Sequence, residues 1–470
     1  MKVFGAIRAT VAVAAGAGLV WGATQATDTA DATRPADVRQ VAADSTSSTL
    51  SDVSLSCTGA ETAGHVQVAS APAAWLAARA TSGSVSLTGK DARRLDLVRG
   101  AATDGALPAG AASSVVGKGG LATGLVATQT QLDDRVTARG LAVSPCGSPV
   151  QDGWYFGGGD APGRIARLTL VNTGATASTV NATVVGADGV DSDATVKGTV
   201  LAPGERKTLV LGDFGKSLAS AAVHVTATGA GVSASLTDSW LDGEIPVGED
   251  TTSSPVIPAK KLDIPAVSAT GAAPEVRVAV PGKDEGIVRV RAVSPSGDVV
   301  FDKVSTVAAG ASEAVRLTGL TAGGYDVQVT GDVPVVAAAM SRTASSGTTD
   351  LAWSPAVEAT KGPAGIALPT GIPGRSTSLM LTAPTRTKAD IVTVTASGAE
   401  TKTVGIPADR PVVVGVKGAV AVWVRPAPGG ALHAAVTIGG SRDNAGLLAT
   451  VPLQQTPLSQ STKRLVAARG

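Results

Sequence analysis

The run Gly153-Trp154-Tyr155-Phe156-Gly157-Gly158-Gly159-Asp160 gathers three aromatic side chains beside three successive glycines, in a chain holding only 6 Trp, 2 Tyr and 4 Phe. Exposed Trp and Tyr next to a permissive backbone suit the face of a sugar ring or a partner peptide, so Trp154, Tyr155 and Phe156 are the candidate binding residues. The same aromatics would equally plug a junction between two domains while the glycines make a tight crossing. The glycines are not a nucleotide fingerprint, because neither Gly-x-Gly-x-x-Gly nor a terminal Lys-Ser/Thr follows a strand and opens a helix. Asp188, Asp238, Asp242 and Glu244 bring to mind the carboxylate pairs that hydrolyse glycosidic bonds. Asp188 is accounted for as a turn residue, and the other three lie at a domain exit beside Trp240 without a complete calcium loop. His65, His224 and His433 sit in separate strand-like runs, and no serine or cysteine occupies a nucleophile elbow. Asn181-Ala182-Thr183 matches a glycosylation acceptor only formally. No catalytic residue, metal site or cofactor is assigned, and the chain is read as not an enzyme.

Whatever positions these residues must be built from small side chains. The 470 residues are 44 % hydrophobic but 3 % aromatic, with 57 Gly, so the core is aliphatic. Such a composition supports a sizeable core, excludes wholesale disorder and suggests two to four domains. Formal charge is +1, from 39 Lys and Arg against 38 Asp and Glu. With basic residues dispersed, there is no strip for tracking phosphates, and nucleic acid is not an expected partner.

Lys2 and Arg8 precede a nearly uncharged run over residues 9–26, centred on Val11, Val13, Leu19, Val20 and Trp21. A basic start followed by an apolar stretch reads as an export element. Thr24-Gln25-Ala26 offers a small-x-small cleavage pattern, whereas an uncleaved transmembrane helix would anchor the chain with its bulk outside. Both readings stay open, and both place the protein outside the cytoplasm. Cys57 and Cys146, the chain's two cysteines, fit that compartment and flank a segment of domain size, so they are expected to form a disulfide.

After a polar spacer one period dominates. Short runs such as Ile165-Ala166-Arg167-Leu168-Thr169-Leu170-Val171 alternate polar with aliphatic residues and are separated by Asp-Gly and Pro-Gly turns. The strand–turn order of residues 150–245 returns twice more. A period of roughly 100 residues without amphipathic helical runs points to sandwiches rather than βαβ units or propeller blades. The expected fold is all-β: serial antiparallel, immunoglobulin-like β-sandwich domains after the N-terminal signal or anchor. The boundaries are a signal or anchor over 1–26, a flexible spacer over 27–48 and a disulfide-containing β-rich domain over 49–149. Sandwich repeats follow over 150–245, 246–345 and 346–456, the last with a preceding linker, and then a polar tail over 457–470. Linkers are expected over 243–261 and 343–373, with docking of Leu351-Ala352-Trp353 and Ile366-Ala367-Leu368 as edge strands left open, together with a short helix over 72–80 and an elongated serial arrangement.

Cys146 followed by Gly153-Trp154-Tyr155-Phe156-Gly157-Gly158-Gly159, then Arg167-Leu168-Thr169-Leu170-Val171-Asn172-Thr173-Gly174, carries a resemblance. Pro203-Gly204-Glu205-Arg206, Ala222-Val223-His224-Val225-Thr226-Ala227 and Asp332-Val333-Pro334-Val335-Val336-Ala337-Ala338-Ala339 continue it. Together with the N-terminal apolar run, this ordered series resembles the DUF5719 family of exported, single-anchor actinobacterial proteins of uncharacterised function. The resemblance implies a cell-envelope location and N-terminal membrane association, and it supplies no catalytic residues. The resulting expectation is a noncatalytic envelope scaffold or recognition protein whose partner is a protein or a glycan. The alternative is an extracellular carbohydrate-active enzyme or its carbohydrate-binding accessory subunit, which would need working carboxylates as well as Trp154 and Tyr155.

Overall fold

The computed structural model describes residues 43–75, 82–135, 138–213, 218–344, 348–456 and 459–465. Those residues are almost entirely β, in several small antiparallel sheets. Local sequence explains the choice. In Gly286–Val293 the residues Val288, Val290 and Ala292 are buried while Ile287 and Arg289 point outward, the period of a strand with one wet face. The turn that follows is closed by Gly297 N–H donating to Ser294 O at 2.8 Å, with Gly297 at φ 96°. Among the described residues helical content is limited to 3-10 turns at Ala73–Trp75 and Leu211–Asp213. The first of these stands where a helix over 72–80 was expected, and residues 76–80 lie outside the described residues.

One strand order occurs four times. The first set runs Asp52–Cys57, Gly64–Ser70, Gly83–Gly89, Arg93–Leu95, Ala102–Leu107, Ser113–Gly119, Leu125–Arg135 and Ala138–Cys146. Counting along the chain, its sheets have the orders 1-6-3-4 and 5-2-7-8. The same orders recur from Asp152–Phe156 to Ile245–Thr252, from Ala259–Ala269 to Leu351–Pro355, and from Ala364–Ala367 to Ala445–Pro452. In the third set the sixth and seventh strands are one 20-residue strand, Gly323–Arg342, which serves both sheets and joins them into a seven-stranded whole. Sequence reading related only three of the sets, yet the first has the same order. Its two sheets are tied by the Cys57–Cys146 disulfide, across a separation of 89 residues. A loop of that length contributes about 4–5 kcal/mol in the chain-entropy account.

The segments read as linkers contain the eighth strands of the second and third sets, the latter at Leu351-Ala352-Trp353, where sequence reading leaves docking as an edge strand open. Ile245–Thr252 pairs with Ser233–Asp242, and Leu351–Pro355 pairs with Gly323–Arg342. Within Thr49–Ser459, which form one compact unit, the sets are not strung out in line. The eighth strand of each set abuts that of the next, and that of the fourth abuts that of the first, so the sets close on themselves. Leu141 and Val143 of the first set enter the core of the fourth. Ala69, Ala71, Trp75 and Val126 pack with Ala367, Val392 and Trp423. Trp154 and Phe156 enter the core of the third set, and Ala266 meets Met380 and Ala435 of the fourth. Three of the four contacts between sets are thus sealed by aliphatic or aromatic clusters. Among the described residues no such cluster joins the first set to the second.

Separately, Ala43–Thr49 and Ser459–Leu465 pair as a two-stranded sheet, where sequence reading placed a flexible spacer and a polar tail. The transmembrane-helix expectation is corrected: no helix of the described residues is long and apolar enough to cross a membrane. Residues 9–26, on which that expectation rested, lie outside the described residues.

Candidate functional site

The aromatic run forms the strand Asp152–Phe156, and both of its faces are covered. Tyr155 points into the core of its own set, where burial holds its phenol well above the ordinary value. Trp154 and Phe156 point the other way, into the third set. Trp154 also stacks on His224 with ring centroids 4.4 Å apart, and His224 Nε2 lies 3.1 Å from Asp152 Oδ1. At 4 %, 1 % and 1 % exposure, Trp154, Tyr155 and Phe156 offer no ring face to a ligand unless the sets part.

The carboxylates singled out in the sequence do not converge. Asp188, Asp242 and Glu244 are exposed, whereas Asp238 is fully buried. Arg164 donates to Asp238 through Nε at 2.9 Å and Nη2 at 2.5 Å, and Trp353 Nε1 donates at 2.8 Å. Burial works to raise Asp238, but the Arg164 guanidinium and these donors hold it below the usual carboxylate range. The pair is structural. His65 is exposed beside Asp104, and His433 lies between Asp263 and the Val357 carbonyl, so the three histidines belong to different surroundings. Among the described residues no group of three His, Cys, Asp or Glu side chains is placed to hold a metal ion.

The unsealed contact, between the first set and the second, is where side chains converge on open space. Its floor is the outer face of the second set's sheet, made of Arg206–Val210, Arg164–Val171, Ser233–Asp242 and Ile245–Thr252 in that order. Alternation puts Ala166, Leu168 and Leu170 in the core and leaves Ile165, Arg167 and Thr169 on the outer face. Register extends that face sideways. Arg167 stands opposite Thr237, which in turn stands opposite Thr251, and Ser239 stands opposite Glu249. The first set contributes the wall, with Gly59, Ala60, Glu61, Gln131, Arg135 and Ala138. Together they enclose a cleft of about 380 Å³ lined by guanidinium, hydroxyl and carboxyl groups, with Ile165 and Leu241 as its larger apolar members.

Its charges are mostly spoken for. Arg135 donates to both oxygens of buried Asp133, at 2.6–3.0 Å. Arg206 donates to Glu61 Oε1 at 3.0 Å and to Thr58 O at 2.9 Å. Gln131 Nε2 lies 3.4 Å from Asp133 Oδ2 and 3.5 Å from Glu249 Oε1, bridging the two acids. Burial, and then the Asp133 charge, push the Glu249 carboxyl above its ordinary value, while a hydrogen bond from Ser239 opposes them. Hydroxyl pairs stiffen the floor and the contact: Thr237 with Thr251 at 2.8 Å, Thr169 with Thr208 at 3.2 Å, and Thr58 with Ser235 at 2.8 Å. The cleft displays donors and acceptors, most of them fixed on strands, an arrangement able to hydrogen-bond a polar molecule. Sequence reading missed it because Ile165, Arg167 and Thr169 are ordinary outward positions of an alternating strand, Gly59, Ala60 and Glu61 lie in a loop, and only the return of the first set against the second makes them a wall and a floor.

Against known proteins the chain has little to lean on. No curated protein matches it. A solved structure titled "Crystal Structure of Thermotoga maritima 1070" is similar at 13 % identity, over 21 % of this chain and 93 % of that chain. Its TM-score is 0.19, which carries no argument about fold or function. Residues 101–417, well over half the sequence, match the model of DUF5719, a family of unknown function, and the chain belongs to that family.

Proposed function

We propose that this is an exported, noncatalytic recognition protein of the cell envelope that holds a glycan or protein partner in the cleft between its first two strand sets. The observation that carries the reading is the cleft itself. It is the one contact between neighbouring sets that no apolar cluster of the described residues seals, and its lining is polar and fixed on rigid strands. Burying so many polar groups without a cluster to drive the contact costs stability, which is reasonable where the groups serve a partner. The Cys57–Cys146 disulfide supports export, since thiols stay reduced in the cytosol. Each set is read as a sandwich of immunoglobulin-like kind, with the seventh strand beside the second rather than beside the sixth.

A carbohydrate-active enzyme would need a free carboxylate beside the raised Glu249. Asp133 is the neighbouring acid, and Arg135 occupies both its oxygens, which favours holding over cutting. Proximity crosslinking of tagged full-length protein in the native envelope tests the reading. A specific partner should be captured, and Ile165→Trp, at a 42 % exposed rim position, should abolish capture while leaving the fold intact. Turnover of an envelope glycan by the purified chain, lost in Glu249→Gln, would overturn it.

A further inference from the structure

We propose, resting on the recognition reading above, that the cleft takes an acidic saccharide and that Arg167 receives its carboxylate. Of the three guanidinium groups lining the cleft, two are occupied: Arg135 by Asp133, and Arg206 by Glu61 and the Thr58 carbonyl. The Arg167 guanidinium makes no hydrogen bond or ion pair with any described residue. The acid whose charge Arg167 feels is Glu249: burial and Asp133 push its carboxyl above the ordinary value while Arg167 pulls it down, yet the two form no ion pair. An Arg fork is planar and matches a carboxylate with two parallel hydrogen bonds. This one stands on a central strand, with Val210 and Thr237 in register on either side, so its base is held by the sheet floor rather than by a loop.

What surrounds Arg167 selects the rest of the ligand. Thr169, Thr237 and Ser239 set a patch of hydroxyls around the guanidinium, and Gln131 faces them from the first set. Hydroxyl and amide groups both donate and accept, as the ring hydroxyls of a sugar do. Among the described residues no aromatic lines the cleft, so a neutral sugar finds no described ring to stack on. The charge on Arg167 must then supply the affinity, which is the argument for an acidic sugar over a neutral one. The volume of about 380 Å³ falls in the range of small-molecule sites and suits one or two rings.

Titration calorimetry of the full-length chain with an oligogalacturonate, a neutral oligosaccharide of equal length and inorganic phosphate tests this. The oligogalacturonate should bind, more weakly as salt rises, with the neutral oligosaccharide at least about 10-fold weaker. Arg167→Gln should weaken binding by about 10-fold or more, and Arg167→Lys by less, because the charge survives without the fork. Both variants should melt close to the wild type, since the Arg167 guanidinium makes no hydrogen bond or ion pair with a described residue and its backbone pairing with Val210 and Thr237 is untouched. Equal binding of the neutral oligosaccharide, or binding unchanged by Arg167→Gln, would overturn the acidic-sugar inference while leaving the recognition reading standing. Phosphate binding as tightly as oligogalacturonate would overturn the saccharide. No binding of any probe would also overturn it, and envelope capture then judges the recognition reading separately.

Discussion

Asp350 is the residue on which the closed arrangement turns. Edge strands carry unpaired N–H groups, and bringing four of them together in a dry interior would strand those donors. The fully buried Asp350 carboxyl group gathers them. Oδ2 accepts from Leu141 N at 3.0 Å and Leu448 N at 2.9 Å, Oδ1 accepts from Leu351 N at 2.9 Å, and the Glu249 backbone N–H also donates. These donors belong to the eighth strands of all four sets. Asp250 acts likewise on a smaller scale, accepting from Trp353 N at 2.7 Å and Thr251 N at 2.8 Å. Asp350→Ala would leave four buried donors without a partner, and we expect a loss of about 3–5 kcal/mol in chemical denaturation. The pH dependence has a definite sign. Burial pushes Asp350 up to about 8, against the pull of its N–H partners, and Asp250 and Glu249 are raised in the same sense. A carboxyl whose folded pKa lies above its unfolded value contributes stability that is whole below about 4 and is lost as pH rises towards 8. Buried Asp238, held low by Arg164, runs the other way and gains between acid and mid pH. The melting temperature should therefore fall between pH 6 and 8, where Asp238 no longer titrates. Asp350→Asn keeps one acceptor oxygen, cannot ionise, and should flatten that slope. An unchanged slope would remove Asp350 as its source.

At the level of strands, the pattern of success and failure in reading the sequence has a physical cause. Strands with one core face, such as Gly286–Val293, announce themselves by alternation, and so the all-β class and most turns were legible. Ile245–Thr252 did not, because Glu249, Asp250, Thr251 and Thr252 are all buried and polar, their partners being neighbouring strands rather than apolar side chains. Its hairpin signal was present in Asp242-Gly243, with Gly243 at φ 63°, but that turn looked like a domain exit. The matching turn Asp443-Asn444, with φ of 50° and 61°, leads into Ala445–Pro452 in the fourth set. The aromatic run was visible from composition, whereas its burial followed from a contact with the third set that no local pattern encodes. The cleft was illegible for the same reason. The eighth strands also pack unusually close. A Cβ on Gly248 would collide with Leu351 N and come within 2.9 Å of Asp350 Cα, at a φ of 144° that side chains rarely adopt. On Gly140 it would lie 2.5 Å from Glu249 N. Gly248→Val should cost about 3 kcal/mol in urea denaturation by forcing the central strands apart. Gly362→Ala, with open space around it, should stay within about 0.5 kcal/mol of wild type. Equal effects of the two substitutions would mean that the central contact tolerates more room than its geometry implies.

At the scale of the molecule, closure changes what four repeats can do. In an open array each repeat meets only its neighbours, so removing a terminal one costs a single interface and leaves the others folded. Here the fourth set is a neighbour of both the third and the first. Ending the chain at residue 358 would uncover Leu141 and Val143, which pack into the fourth set's core, and Ala69, Ala71, Trp75 and Val126, which pack on Val392 and Trp423. It would also remove Leu448 N from Asp350, the Arg442–Asp134 ion pair at 2.6 Å, and the hydrogen bond between Gln454 Nε2 and Cys146 O at 2.5 Å. Losses of this kind fall on the first set, which is remote in sequence from the cut, as well as on the third, which adjoins it. The expected outcome is that the truncated chain exposes apolar surface to a hydrophobic dye and exchanges the amide hydrogens of Ala138–Cys146 far faster than the full chain does. The full chain should instead protect the four eighth strands to a similar degree, because Asp350 and the contacts around it make them open together. A truncated chain whose first set keeps wild-type protection would show that the sets are independent domains resting against one another, and that the return of the fourth set to the first stabilises neither.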